Sequence, residues 1–132
     1  RGPKKGQLSG NPLGKNPGDV WDIPNVKANH VEKTEHECQF PIALVQRLVR
    51  SLSPEDGVIL DPYAGVGTTG CVAILEGREY IMAELNETYH SIGLRRLEDA
   101  AKGTLKHNGL PIPTNHSQPE DPALFEFGSR EL

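Results

Sequence analysis

The sequence predicts an α/β fold in which a parallel sheet is flanked by helices. The main observation is a short apolar strand at residues 57–61 that runs through a glycine-rich turn at residues 62–70 into a helical stretch at residues 71–75. Gly77 can end that helix, and a second strand follows at residues 80–84. A strand, a helix and a strand in this order form a βαβ unit, which implies a parallel pair with a right-handed crossover.

A helix is predicted before this unit. Proline is accepted in the first turn of a helix, so the helix can begin at Pro41, and it should end before Ser53 and Pro54. The apolar residues that recur at helical spacing are Ile42, Val45, Leu48, Val49 and Leu52.

Another helix is predicted after the unit. Asn86 can cap its first turn, the helix should continue to about Ala101, and Gly103 ends it. Its expected inner residues are Tyr89, Ile92 and Leu97. Residues 104–110 are a candidate for a third short strand.

The length of 132 residues allows one small domain with a hydrophobic core. No apolar run approaches the roughly 20 residues that span a bilayer, and the first residues do not resemble a signal peptide, so we expect a cytoplasmic protein. Cys38 and Cys71 are too few for a disulfide framework and form no Cys-x-x-Cys pair, which fits a reducing compartment.

Composition divides the chain into three predicted segments. Residues 1–35 form an irregular basic arm anchored by Trp21, residues 36–110 the ligand-binding part, and residues 111–132 an acidic, proline-rich tail. The first 50 residues carry eight Lys or Arg and five Asp or Glu, an excess of positive charge too weak to indicate nucleic acid by itself.

The glycine turn matches the Gly-x-Gly-x-x-Gly pattern at Gly65, Gly67 and Gly70, and Glu84 ends the next strand 19 residues after Gly65. By pattern alone this is a dinucleotide-binding fingerprint. A phosphate-binding loop of the Walker type is excluded because no lysine follows the glycines. A turn that only packs the helix onto the strand is the alternative without a ligand.

Asp61, at the end of the first strand, favours a different ligand. Its carboxylate would repel a pyrophosphate, and the turn contains no Lys or Arg to compensate. S-adenosylmethionine instead presents an ammonium and a sulfonium near such a turn, and a carboxylate there would attract them. Glu84 can accept hydrogen bonds from ribose hydroxyls of either ligand.

Several motifs occur together in a particular order: Trp-Asp-Ile-Pro at 21–24, His-Glu-Cys-Gln-Phe-Pro at 36–41, Asp-Pro-Tyr-Ala-Gly-Val-Gly-Thr-Thr at 61–69, and Glu84. They resemble the C-terminal, cofactor-binding half of the permuted, β-type DNA amino-methyltransferases, which act on N6 of adenine or N4 of cytosine. The resemblance covers about residues 14–105. It implies a partial Rossmann-like S-adenosylmethionine-dependent methyltransferase fold, incomplete without the upstream half.

The resemblance also implies which residues bind S-adenosylmethionine. Asp61 would receive the methionine amino group, Glu84 would bind the ribose, and Leu85 would cover the adenine. The full set that it implies is His36, Phe40, Asp61, Tyr63, Gly65, Gly67, Thr68, Thr69, Glu84 and Leu85.

The roles of the remaining residues follow from the same resemblance. The segment from His36 would lie against the cofactor, with Phe40 as a wall of the pocket. The turn glycines would let the backbone approach, and Thr68 and Thr69 would offer donors at the start of the helix. Glu37 is a departure, because the family usually has proline there, and it is expected to loosen that turn.

No metal site is predicted, because His36 and Cys38 would supply only two ligands. No catalytic residue is predicted either. The family uses Asp, Asn or Ser followed by Pro-Pro and an aromatic residue to accept hydrogen bonds from the target amine and to stack the flipped base. Residues 61–63 have one proline only and belong to the cofactor loop.

The sequence therefore predicts the cofactor-binding portion of a DNA methyltransferase, with its catalytic half upstream or on a partner chain. DNA would be contacted through the complete enzyme, within a restriction-modification context and without a membrane. A non-catalytic module that holds the cofactor or a partner protein is the alternative, and a nicotinamide-dependent oxidoreductase comes third. Because one sheet face and one edge would stay open, we expect the isolated chain to be marginally stable or to self-associate.

Overall fold

The computed structural model describes residues 19–110, which form a small α/β unit with a two-stranded parallel sheet. The elements in chain order are α1 (Ile42–Leu52), β1 (Val58–Asp61), α2 (Thr68–Leu75), β2 (Glu79–Met82) and α3 (Glu87–Ala101). Val58 lies beside Glu79 and Asp61 beside Met82 in the parallel register. The predicted βαβ unit and both flanking helices are confirmed.

The core lies on one face of the sheet, under α2. Val72 of α2 packs with Ile59 of β1 and with α1, whereas Cys71 packs toward α3 and β2. Burial raises the pKa of the Cys71 thiol to about 11, as expected for a cysteine that serves as a small apolar side chain. Helix α2 therefore holds the two strands and the two other helices together.

A buried polar group joins α1 to the end of α2. The Glu76 carboxylate accepts hydrogen bonds from Gln46 Nε2 at 2.7 Å and from Arg50 Nε and Nη2 at 2.7 and 2.8 Å. Gln46 and Glu76 are fully buried, and Arg50 reaches solvent in part. The charge of Glu76 is thus paired inside the fold, which is the condition for burying a carboxylate.

The prediction of a third strand at residues 104–110 is wrong, because this segment is irregular. Side chains from distant positions take its backbone donors in place of a neighbouring strand. Asn108 donates its backbone N–H to Glu32 Oε1 at 3.0 Å, and Leu110 donates to Gln46 Oε1 at 2.6 Å. The segment is fixed across α1 by these bonds and adds no strand to the sheet.

Part of the predicted arm lies within the described residues. Residues 19–35 contain no helix or strand, and the Arg47 guanidinium lies 5.4 Å from the centroid of the Trp21 ring, so Trp21 contacts α1. The remainder of the arm and the tail at 111–132 lie outside the described residues. Within 19–110, no helix is long and apolar enough to cross a membrane.

Candidate cofactor-binding site

The glycine turn lies at the carboxyl ends of both strands, the edge at which open α/β sheets bind ligands. Gly65 and Gly67 have φ angles of +54° and +72°, which favour glycine because a side chain would be strained there. Ala64 donates its backbone N–H to the Ala83 carbonyl at 2.9 Å, so the turn is tied to the chain just after β2. Gly67 then begins α2 as its N-cap residue.

Glu84 connects this turn to the start of α3. Its Oε2 accepts the backbone N–H of Gly65 at 2.7 Å, and its Oε1 accepts that of Asn86 at 2.8 Å. The hydrogen bond from Asn86, with further ones from Gly65 and Leu85 and the nearby His36, lowers the pKa of the Glu84 carboxyl. A carboxylate has about four lone-pair sites, so at least one remains for a further hydrogen bond. Glu84 therefore stays ionised and can still receive a ligand hydroxyl.

Asp61 occupies the other side of the turn. Its Oδ1 accepts the backbone N–H of Tyr63 at 3.0 Å, and its Oδ2 accepts the Thr69 hydroxyl at 2.6 Å. Neither donor is charged, so these bonds orient the carboxylate without neutralising it. The half-buried carboxylate is consequently suited to an incoming cation and unsuited to a phosphate.

His36 lies against the glycine turn. A Cβ placed on Gly65 would lie 3.0 Å from His36 Nε2, and the His36 ring is 4.5 Å from the centroid of Tyr89 on α3. His36 Nδ1 accepts the backbone N–H of Cys38 at 3.1 Å. This hydrogen bond closes the turn that contains Glu37, the position at which a looser turn was expected.

The loop before α1 holds His36 in place. Lys33 Nζ donates to the His36 carbonyl at 2.7 Å. The buried Gln39 accepts from the Thr34 backbone N–H and hydroxyl and donates to the Glu32 carbonyl at 2.7 Å. The Glu32 carboxylate in turn accepts the Ile42 N–H at the start of α1 at 2.9 Å.

Three of the predicted site residues are highly exposed: Phe40 at 64%, Tyr63 at 89% and Leu85 at 99%. Phe40 precedes α1, Tyr63 lies within the turn, and Leu85 follows Glu84. All three offer exposed apolar surface to a ligand. Thr68 differs, because its side chain is buried and its hydroxyl accepts a hydrogen bond from Arg96 at 3.0 Å. The Thr69 hydroxyl is already engaged by Asp61.

Two positions on α3 that contact the glycine turn escaped the sequence analysis. Arg96 is buried beneath the turn and donates to the Val66 carbonyl as well as to Thr68. Gly93 is where α3 meets the turn, and the close approach depends on Gly67: a Cβ built on Gly67 would lie 3.3 Å from the Gly93 Cα, whereas a Cβ built on Gly93 would make an ordinary contact at 3.5 Å. A glycine inside a predicted helix was the available signal for this close approach.

No group of three or more His, Cys, Asp or Glu side chains is placed to hold a metal ion within residues 19–110. His36 and Cys38 meet only through the backbone N–H of Cys38, and the thiol itself is exposed.

The described residues thus form a small α/β unit with a carboxylate on either side of its glycine turn, and the comparisons with known proteins identify the family. The model of the DNA methylase family, N6_N4_Mtase, matches residues 2–95. The chain belongs to this family, as the resemblance predicted.

Curated relatives include two type II methyltransferases. M.ScaI of Streptomyces caespitosus is 48% identical over 103 residues, which are 75% of this chain and 34% of the relative. M.BglII of Bacillus subtilis is 45% identical over 97 residues, 74% of this chain and 27% of the relative.

A third relative is the DNA adenine methyltransferase YhdJ of Escherichia coli (strain K12). It is 45% identical over 85 residues, which are 64% of this chain and 29% of the relative. The chain thus spans about a third of the length of the curated relatives it matches.

Proposed function

We propose that this chain is the S-adenosylmethionine-binding portion of a DNA methyltransferase that acts on the exocyclic amine of adenine (N6) or cytosine (N4). The observation that carries the proposal is the placement of two carboxylates, Asp61 and Glu84, on either side of a glycine turn in a member of the DNA methylase family. A Rossmann-like sheet completed by further strands is part of this proposal.

The donor set fits the methyl donor. Asp61 offers an uncompensated carboxylate to the ammonium of the methionine moiety, and Glu84 offers its remaining lone pairs to the ribose hydroxyls. Gly65 and Gly67 give the turn its positive φ angles and let His36 and α3 pack closely against it. The exposed side chains of Phe40, Tyr63 and Leu85, and the His36 ring, complete the walls.

When bound, S-adenosylmethionine supplies an electrophilic methyl group. The residues of this chain bind and orient the donor, and Thr68 and Thr69 brace the turn through their hydroxyls. The groups that accept hydrogen bonds from the target amine and stack the base are proposed to lie upstream or on a partner chain, and DNA is contacted through the complete enzyme. A restriction-modification role and a cytoplasmic location remain part of the proposal.

Two measurements test this function. Calorimetric titration of the chain with S-adenosylmethionine and, separately, with NADH decides the ligand, and the proposal requires binding of the first only. Methyl transfer to DNA is then assayed after a complete upstream methyltransferase half has been added.

The outcomes separate the candidate functions. Transfer of the methyl group to N6 of adenine or N4 of cytosine supports a split or partial enzyme. Cofactor binding without transfer would indicate a non-catalytic module, and binding of NADH alone would indicate an oxidoreductase.

A further inference from the structure

We propose that Asn108 is a site of spontaneous deamidation, at which His107 takes up the proton of the attacking amide, and that the product releases residues 104–110 from α1. Asn108 and Gly109 form the single Asn-Gly pair in the sequence. The modification would alter this chain whichever ligand the glycine turn binds.

The two groups that react are next to each other in the chain. Deamidation begins when the backbone nitrogen of the residue after an asparagine attacks the carbon of the side-chain amide. Asn108 is exposed, and its side-chain amide makes no hydrogen bond within residues 19–110. The amide can therefore rotate toward the nitrogen of Gly109, and glycine has no side chain to hinder the attack.

The fold requires glycine at position 109. A Cβ built there would collide with Gln46 Oε1 of α1 and would lie 2.9 Å from Ile42 Cγ2. The close contact of the segment with α1 thus demands, directly after Asn108, the residue type that permits the attack most readily. The reactive pair is consequently a result of how residues 104–110 pack.

His107 is placed to take up the proton that the attack releases. Its Nδ1 accepts the backbone N–H of Gly109 at 3.0 Å, and this is the N–H whose proton must be lost. An imidazole nitrogen can accept a proton near neutral pH, whereas a carbonyl oxygen is far too weak a base. The related pair Asp56-Gly57 shows the contrast, because its Gly57 N–H donates to the Pro54 carbonyl at 3.3 Å.

The reaction balances with water as the only other reactant. The Gly109 nitrogen passes its proton to His107 Nδ1 and bonds to Asn108 Cγ, and the Cγ–Nδ2 bond breaks as the amino group takes that proton and leaves as ammonia. Water then opens the succinimide ring. Opening at Cγ gives aspartate, whereas opening at the backbone carbonyl gives isoaspartate, in which the chain runs through Cβ and Cγ. Both products gain a carboxylate, and isoaspartate also lengthens the backbone by one atom.

Two hydrogen bonds on either side of the reacting bond hold the segment on the fold. Asn108 donates its N–H to Glu32 Oε1 at 3.0 Å, and Leu110 donates to Gln46 Oε1 at 2.6 Å. A longer backbone cannot keep both donors in place, and the new carboxylate repels the buried carboxylate of Glu32. Because Glu32 also accepts the Ile42 N–H, the start of α1 loses part of its support.

The test is incubation of the full 132-residue chain at neutral pH, with modification at position 108 followed by peptide mapping. His107→Asn is the decisive variant, because an asparagine amide oxygen can accept the Gly109 N–H in the place of Nδ1 but cannot take up its proton. Asn108→Gln is the negative control, since glutamine would have to form a larger ring. The wild type and His107→Asn are also incubated in urea, which removes the folded contact.

We expect the folded wild type to deamidate at Asn108 about tenfold faster than folded His107→Asn, a modest share of what a positioned base contributes. The two chains should react at similar rates in urea, and Asn108→Gln should stay unmodified. No modification of the folded wild type at Asn108, or equal rates in the two folded chains, would overturn the assignment. The same ratio of rates in urea would also overturn it, because the effect would then come from the neighbouring sequence alone.

The release of the segment is tested on aged wild type from which anion exchange has removed the unmodified chain. Amide hydrogen exchange at Leu110 should accelerate by about tenfold while exchange in α2 is unchanged, as expected for a local opening. Asn108→Asp is the control that carries the new charge without the extra backbone atom, and its exchange should accelerate less. Unchanged exchange at Leu110, or equal acceleration in α2, would overturn the release.

Discussion

Glu84 accepts the backbone N–H of Gly65 at 2.7 Å, across 19 residues of chain. The carboxylate assigned to the cofactor ribose is therefore also a structural part of the glycine turn. Its second oxygen accepts the Asn86 N–H, while the Asn86 side chain caps α3 by accepting the N–H groups of Thr88 and Tyr89. Ligand binding at Glu84 and the conformation of the turn are consequently coupled.

This arrangement predicts a pH-dependent contribution of Glu84 to stability. Its pKa in the folded protein is below the ordinary value of 4.5, chiefly because of the hydrogen bond from Asn86. A lowered pKa means that the stabilisation is fully present above that ordinary value and is lost as the pH falls through the folded pKa. The free energies of unfolding of the wild type and Glu84→Gln should therefore differ at pH 7, and the difference should shrink as the pH is lowered below 4.5.

Glu79→Gln is the control for this measurement, because it removes an exposed carboxylate at the opposite end of β2. A difference in the free energy of unfolding between the wild type and Glu84→Gln that stayed constant from pH 7 to pH 3 would contradict the assigned hydrogen bonds.

Replacing Asp61 distinguishes the two classes of ligand. Asp61→Asn keeps an oxygen that can accept from Thr69 but removes the negative charge, so S-adenosylmethionine should lose a charge-assisted contact worth about 1.5–3 kcal/mol, one to two decades of affinity. A dinucleotide would instead bind equally well or better, because a repulsion of its phosphates is removed. Calorimetric titration of the wild type and Asp61→Asn measures the affinities for S-adenosylmethionine and for the dinucleotide.

Glu84→Gln serves as the positive control for the location of the pocket, since it weakens either ligand through the ribose. An unchanged affinity of Asp61→Asn for S-adenosylmethionine would show that the carboxyl end of β1 does not bind the ammonium.

The contact between the turn and α3 predicts opposite effects for two glycines. Gly67→Ala puts a side chain at a φ of +72° and 3.3 Å from Gly93, and should destabilise the fold by about 1–2 kcal/mol. Gly93→Ala lies in a helix, and its new Cβ would be 3.5 Å from the nearest atom, an ordinary contact. It should be neutral or stabilise by up to about 1 kcal/mol.

Thermal unfolding of the two variants measures these effects under identical conditions. Equal destabilisation by both substitutions would mean that the space between α3 and the turn is smaller than the structure indicates.

The buried Glu76 predicts a large loss of stability. Glu76→Ala removes the 2.7 Å acceptor of Gln46 and the buried carboxylate that pairs with Arg50, so we expect a loss of about 3 kcal/mol, the low end for a broken buried pair because Arg50 is partly exposed. Urea unfolding gives the value. Glu98→Ala removes the exposed partner of Lys102 and should leave the free energy of unfolding nearly unchanged.

The sequence predicted those parts of the fold whose signals are local. The cap at Asn86, the glycine turn and the two short strands are each specified by adjacent residues, and the structure has them within two residues of the predicted positions; β2 ends at Met82, so Glu84 follows the strand and does not end it. The prediction of a third strand was wrong because the backbone donors of Asn108 and Leu110 are taken by the side chains of Glu32 and Gln46, 76 and 64 residues away. No local pattern contains that information.

The same distinction between local signals and long-range contacts applies to the residues of the candidate site. Asp61, Glu84 and the turn glycines followed from spacing, and they do converge at one edge of the sheet. The bond from Gly65 to Glu84 and the position of Arg96 beneath the turn depend on how α3 packs, which helical periodicity alone does not specify. Periodicity predicts that a position is buried but gives no reason for a guanidinium there.

Arg96 leads to the last prediction, which separates positioning of the turn from stability of the fold. Its Nη1 donates to the Val66 carbonyl and the Thr68 hydroxyl, whereas its buried Nη2 has no hydrogen-bond partner among the described residues. A buried, incompletely bonded charge adds little net stability, so an apolar residue of similar size should be tolerated. Arg96→Met should therefore lower the free energy of unfolding by no more than about 1–3 kcal/mol, the cost of leaving the Val66 carbonyl and the Thr68 hydroxyl without this donor.

Arg96→Met also removes the hydrogen bonds that Arg96 donates to the Val66 carbonyl and the Thr68 hydroxyl of the turn. The affinity for S-adenosylmethionine should therefore fall several-fold. Arg96→Lys restores one donor and should recover part of that affinity, and Arg95→Gln, on the exposed side of α3, is the matched control. Amide hydrogen exchange at Gly67 should accelerate in Arg96→Met without faster exchange in β1. If affinity and stability fall in proportion, Arg96 supports the fold as a whole and has no separate role in positioning the turn.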